Sequence, residues 1–97
     1  MASERGKRMS KYVWKYPLEI KNGGQKIDTF AGSNIVHCDS QNGQLCLWIE
    51  VDPSNRPLTV IFHVIGTGHP IPPGTSWVGT AQQPPFVWHV YEERLQP

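Results

Sequence analysis

The stretch IVHCDSQNGQLCLWIEVD, residues 35–52, places two β-prone runs on either side of Asn42-Gly43. A two-residue type I′ turn needs positive φ at both central positions, and Asn-Gly adopts that conformation more readily than other pairs. The segment therefore predicts a β-hairpin with arms Ile35–Ser40 and Gln44–Asp52. Its register sets Ser40 opposite Leu45, Cys38 opposite Leu47 and Val36 opposite Ile49 on a buried face. On the reverse face it sets Asp39 opposite Cys46 and His37 opposite Trp48. The two cysteines then project to opposite sides of the sheet and cannot bond without a register slip, which predicts two free thiols.

Outward from the hairpin, the same alternation recurs. Lys11–Tyr16 places Tyr12, Trp14 and Tyr16 on one face, expected to look into the core, and stops at Pro17. Asn22-Gly23-Gly24 is a turn before a short strand Gln25–Thr29, and Ala31-Gly32-Ser33-Asn34 leads into the hairpin. After the turn at residues 52–57, Leu58–Ile65 is so uniformly apolar that it reads as a central strand. Residues 66–75, GTGHPIPPGT, are too rich in proline and glycine for regular structure and predict a stiffened loop. Trp77–Thr80 is a short strand, Gln82-Gln83-Pro84-Pro85 a turn, and Phe86–Glu92 a last strand, with the final five residues frayed. No apolar pattern of helical period persists over a dozen positions. The fold class is all-β: a small antiparallel β-sandwich or barrel of about seven short strands.

The chain has 97 residues, enough for one core. It divides into a basic, disordered or frayed extension at 1–10 and a single β-domain at 11–97. Residues 1–26 carry seven Lys/Arg against two acids, and residues 27–97 carry two against six. A body of net negative charge repels a phosphate backbone, so nucleic acid is an unlikely partner. No apolar run is long enough to span a bilayer, no secretory leader is legible, and two cysteines are not a disulfide framework; the expectation is a reducing cytosol and no membrane.

Chemistry-bearing groups are few. No nucleophile elbow or converging carboxylate pair occurs, and Glu92 and Glu93 point to opposite faces, so no catalytic residue and no cofactor are assigned. The glycines of Gly66-Thr67-Gly68-His69 can turn backbone N–H groups and a histidine toward an anion, or can serve only a tight loop that His69 caps. Trp77, Trp88 and His89 follow on neighbouring segments, and aromatic faces beside backbone donors suit a flat ring such as a nucleobase. The candidate ligand site is thus Gly66, Thr67, Gly68, His69, Trp77, Trp88 and His89, with Lys11, Lys15 and Arg56 as phosphate contacts. A metal alternative follows if Val51 opposes Leu58, which would set Asp39, Cys46 and His63 in one row across three strands.

The run from Tyr12-Val13-Trp14-Lys15, through LCLWIEVDP at 45–53 and IGTGHPI at 65–71, to FVWHVYE at 86–92 resembles a family of short proteins encoded by tailed bacteriophages and prophages. The resemblance covers residues 12–92. It implies an accessory protein made in the host bacterial cytoplasm, without catalytic residues to carry over. Among such proteins it suggests a non-enzymatic binding protein that inhibits host antiviral defence, by sequestering a nucleotide-type signal or by masking a host protein. A virion structural or decoration component and a small metal-binding protein are the alternatives. A homo-oligomer is expected, because a domain of this size builds a deep pocket most readily between subunits. Its partner is then a small anionic ligand or a host protein.

Overall fold

A computed structural model of the protein describes residues 10–94, and among these it contains seven strands and no helix. They are β1 (Tyr12–Pro17), β2 (Gln25–Phe30), β3 (Asn34–Gln41), β4 (Gln44–Val51), β5 (Pro57–Gly66), β6 (Ser76–Gln83) and β7 (Phe86–Arg94). A three-stranded sheet, ordered β1-β4-β3, packs on a four-stranded sheet, ordered β2-β5-β7-β6, and every pairing is antiparallel. The architecture is a small β-sandwich. The expected basic extension lies, up to residue 9, outside the described residues.

The hairpin forms as its sequence dictates. Asn42 and Gly43 have φ of 52° and 79°, the positive values a type I′ turn needs. Ser40, Asp39, Cys38 and His37 face Leu45, Cys46, Leu47 and Trp48 in the expected register. Beyond His37 the register shifts, and Ile35 rather than Val36 lies opposite Ile49. A bulge between Ile35 and His37 turns Val36 out to solvent at 53% exposure, because one extra residue in a strand leaves its side chain unpaired. Cys38 and Cys46 are both free and both buried. Cys38 faces the core, where burial, with smaller contributions from Asp39 and Cys46, pushes its thiol up to about 11. Cys46 lies on the outer face, beneath a hydrogen bond that Lys15 on β1 sends across β4 to Gln41 on β3.

Alternation supplies the core. Leu45, Leu47, Ile49 and Val51 from one sheet meet Val60, Phe62, Val64, Ala81 and Val90 from the other, closed by Leu18 and Cys38. β3 and β6 approach so closely that a Cβ on Gly79 would lie 2.5 Å from the Cβ of Cys38, so only glycine fits. At the opposite side β1 lies over β2, with Tyr16 Oη 3.2 Å from Thr29 Oγ1 and Trp14 edge-on to Phe30. The aromatic face of β1 is only partly inside as a result. Tyr16 packs against the core, whereas Tyr12 and Trp14 are 51% and 41% exposed because β2, the strand beneath β1, ends at Phe30.

Several details of the strands differ from the sequence expectation. The uniformly apolar β5 is an inner strand, but of its own sheet, with β2 and β7 as neighbours. β6 runs on through Gln82 and Gln83, which pair with Val87 and Phe86, and leaves Pro84-Pro85 alone as the turn. β7 continues to Arg94, paired with Val60, so Glu93 and Arg94 do not fray. Arg94 donates to both carboxylate oxygens of Glu92 and to Ser33 Oγ, which holds the strand end down. The segment at 52–57 carries the chain from one sheet to the other. Asp52 Oδ1 accepts from the Ser54 N–H, and the Asn55 side chain donates to the Ala31 carbonyl, binding this crossover to the one between β2 and β3.

Candidate functional site

Two loops leave the same end of the four-stranded sheet and stand on either side of a hollow of about 690 Å³. This lies within the size range of small-molecule sites. Its floor is His63, Val64 and Ile65 of β5 with Trp88 of β7, one lip is Ile20–Gly23, and the other is Gly66, His69, Pro70 and Pro72.

The first lip is the connection from β1 to β2. It is pinned by the buried side chain of Gln25, whose Oε1 accepts from the Glu19 N–H at 2.9 Å while its Nε2 donates to the Glu19 carbonyl at 2.8 Å. This two-point amide clamp mimics a strand pairing. Gly24 then passes directly over β5, where a Cβ would lie 2.5 Å from Ile61 Cγ2 and 3.0 Å from the His63 ring. The His63 Nε2 beneath it is buried and has no hydrogen-bond partner among the described residues. Glu93 Oε1 lies 3.9 Å from it.

The second lip is the GTGH turn. The His69 N–H donates to the Gly66 carbonyl at 3.1 Å, and Gly68 has φ of 93°, as the third position of a type II turn requires. The glycine pattern therefore serves a tight turn, and the His69 amide is committed to closing it. Gly66 has a different reason to be glycine. A Cβ there would meet the His69 ring at 3.2 Å and Trp88 Cζ3 at 3.4 Å, so its bareness lets both rings close on the strand end.

The turn is fastened to the sheet by His89. Its Nε2 lies 2.9 Å from Thr67 Oγ1, its Nδ1 lies 3.1 Å from Thr80 Oγ1, and Thr80 Oγ1 also accepts from the Trp77 indole N–H at 3.0 Å. With a threonine hydroxyl on each ring nitrogen, His89 fastens the turn to β6 and β7. Trp88, on the opposite face of β7, donates its indole N–H to Gln83 Oε1, and Gln83 Nε2 donates to Ser40 Oγ and to the Gly43 carbonyl. Trp88 also stacks on Phe86, with ring centroids 5.4 Å apart.

The sequence-derived site is thereby divided in two by the pleat of β7. Gly66, His69 and Trp88 line the 690 Å³ cleft, whereas Thr67, Gly68 and His89 line a smaller hollow of about 190 Å³ on the outer face with Ile71 and Tyr91, and Gly66 and His69 border both. Trp77 is 59% exposed and joins through its hydrogen bond to Thr80.

The proposed phosphate contacts do not converge there. Lys11 and Lys15 lie on or beside β1 in the other sheet, turned toward Glu50 and Gln41, and Arg56 precedes β5 while the GTGH turn follows it. Among the described residues the Lys or Arg that lines the cleft is Lys21, its Nζ 3.8 Å from Glu19 Oε1, which the sequence reading missed together with Ile20, Asn22 and Gly23. An apolar residue isolated between charges at Glu19-Ile20-Lys21 was the available signal.

The metal row is corrected as well. Asp39 and Cys46 are cross-strand neighbours as expected, but β4 pairs with β1 and β3 and not with β5, so His63 belongs to the other sheet. Among the described residues no group of three potential ligands comes together.

These features define the protein as a seven-stranded antiparallel sandwich with a two-lipped cleft at one end of its four-stranded sheet. The chain belongs to the family described as a domain of unknown function, DUF7352, which it matches over residues 9–97. No curated protein and no solved structure matches it significantly.

Proposed function

We propose that the protein is a non-enzymatic, homo-oligomeric binding protein that takes a small anionic molecule with a flat ring, such as a nucleotide, into the cleft beside Trp88. The observation that carries this reading is the fastening of both lips. Gln25 holds one loop and His89 the other, so the hollow between Trp88, His69 and Lys21 exists before any ligand arrives. Preorganisation of this kind lowers the cost of binding. An aromatic face offers stacking to a ring, and Lys21 with His69 offers charge and hydrogen bonds to an acidic group. In the phage setting suggested by the sequence motifs, the role of such a protein is to withhold a nucleotide-type signal from a host defence system.

The test is titration of the purified protein with a panel of mono-, di- and cyclic nucleotides, followed by tryptophan fluorescence and native mass spectrometry. Saturable quenching and a retained ligand mass are expected, and both should disappear in Trp88→Leu and Lys21→Ala. A panel that gives neither signal, with no small molecule copurifying from bacterial lysate, would overturn the reading.

A further inference from the structure

The four sheet edges are not equally protected. β3 is interrupted by the bulge at Ile35/His37, β6 by a shift between Trp77 and Gly79, and β2 carries the exposed charges Lys26 and Asp28. Bulges and charges are the usual devices that keep an edge from pairing with another chain. β1 has no bulge: all six of its residues pair in unbroken register with β4, and among the described residues its other side pairs with nothing. Its sequence, Tyr-Val-Trp-Lys-Tyr-Pro, is rich in β-forming side chains, and Tyr12, Val13 and Trp14 are each more than 40% exposed.

The lysines that ought to guard this edge are drawn away from it. Lys15 Nζ reaches back over β4 to Gln41 Oε1 at 2.7 Å, and Lys11 Nζ lies 3.8 Å from Glu50 on β4. Both charges lie over their own sheet and leave the open backbone unscreened.

We infer that β1 is a dimerisation edge, pairing antiparallel with β1 of a second copy about a two-fold axis at Trp14. The strand is complementary to itself in that register. Trp14 meets Trp14 of the partner subunit, Tyr12 meets Tyr16 of the partner subunit, and Val13 meets Lys15 of the partner subunit, so aromatic pairs fill one face and no like charges stand directly opposite on the other. Pro17, which has no N–H to give, falls at the end of the ladder, where its loss is tolerated. An isologous two-fold contact closes on itself and gives a dimer with one continuous six-stranded sheet, ordered β3-β4-β1-β1-β4-β3, rather than a fibre. The inference gives the subunit contact for the homo-oligomer proposed above and is independent of what the cleft binds.

Sedimentation velocity of the whole protein from nanomolar to near-millimolar concentration should show twice the 11.0 kDa chain mass at the upper end. Trp14→Cys should form a disulfide-linked dimer under mild oxidation, whereas Lys26→Cys, on the other exposed edge at that side, should not. If Trp14→Cys does not fold, a mixture of Val13→Cys and Lys15→Cys chains, altered only at exposed positions, should cross-link to each other. A single-chain mass at every concentration would overturn the inference, and so would a dimer that cross-links through Lys26→Cys alone. Nucleotide titration of the same samples separates this outcome from failure of the cleft reading.

Discussion

Two tight turns, Asn42-Gly43 and Gly66–His69, lie toward the same end of the sandwich, and both depend on glycine. They use it differently. Around Gly43 nothing would meet an added Cβ within 4 Å, so this glycine answers only to backbone conformation. Gly66 has no such conformational demand, but it is wedged between His69 and Trp88, and its turn is fastened by His89. A turn that only reverses a chain is specified by its own two residues. A turn that must also shape a surface draws its constraints from strands far along the sequence.

The sharpest way to break this contrast is Gly66→Val, which forces a branched side chain between two rings. We expect a loss of about 1–3 kcal/mol, as for other overpacked sites, together with loss of any ligand signal at Trp88. Urea denaturation and fluorescence titration measure the two effects. Gly43→Ala should cost about 1–2 kcal/mol through its positive φ while leaving the cleft unchanged, so the midpoint falls but the affinity does not. His89→Ala should cost about 1 kcal/mol globally yet sharply increase amide exchange at residues 67–69, because its hydrogen bonds fasten a loop rather than the core.

The smallest effect at neutral pH belongs to Cys38, in the hairpin arm. Its thiol is raised from 9.0 to about 11 in the folded chain, so the folded state keeps a proton that the unfolded state gives up. The associated stability is fully present below pH 9.0 and is lost as pH rises toward about 11. Urea midpoints across that window should fall for the native sequence, and Cys38→Ala should flatten that part of the slope.

The same contrast explains what was legible in the sequence. The hairpin was readable because Asn42-Gly43 and the alternation after it are local signals, and four of its five expected cross-strand pairs stand. The fifth failed at Val36, because a bulge is decided by the fit of β3 against its neighbours. Whether the domain was sandwich or barrel turned on residues 52–57. There Asp52 and Asn55 bind the chain into a crossover between sheets, and neither residue type announces that destination. The site was half legible: the GTGH turn, Trp88 and His89 stand out as residue types. Lys21 and Gln25 do not, since their roles arise only once β2 lies beside β5.

The fastening at His89 has one more consequence. A hydroxyl can give or receive a proton in a hydrogen bond, so Thr67 and Thr80 can each satisfy an imidazole nitrogen whether that nitrogen is bare or protonated. Either neutral tautomer is accommodated without moving an atom heavier than hydrogen. A loop held by a histidine–carboxylate pair depends on one tautomer, whereas this one is fastened by either, and the lip keeps its shape whichever ring nitrogen carries the hydrogen.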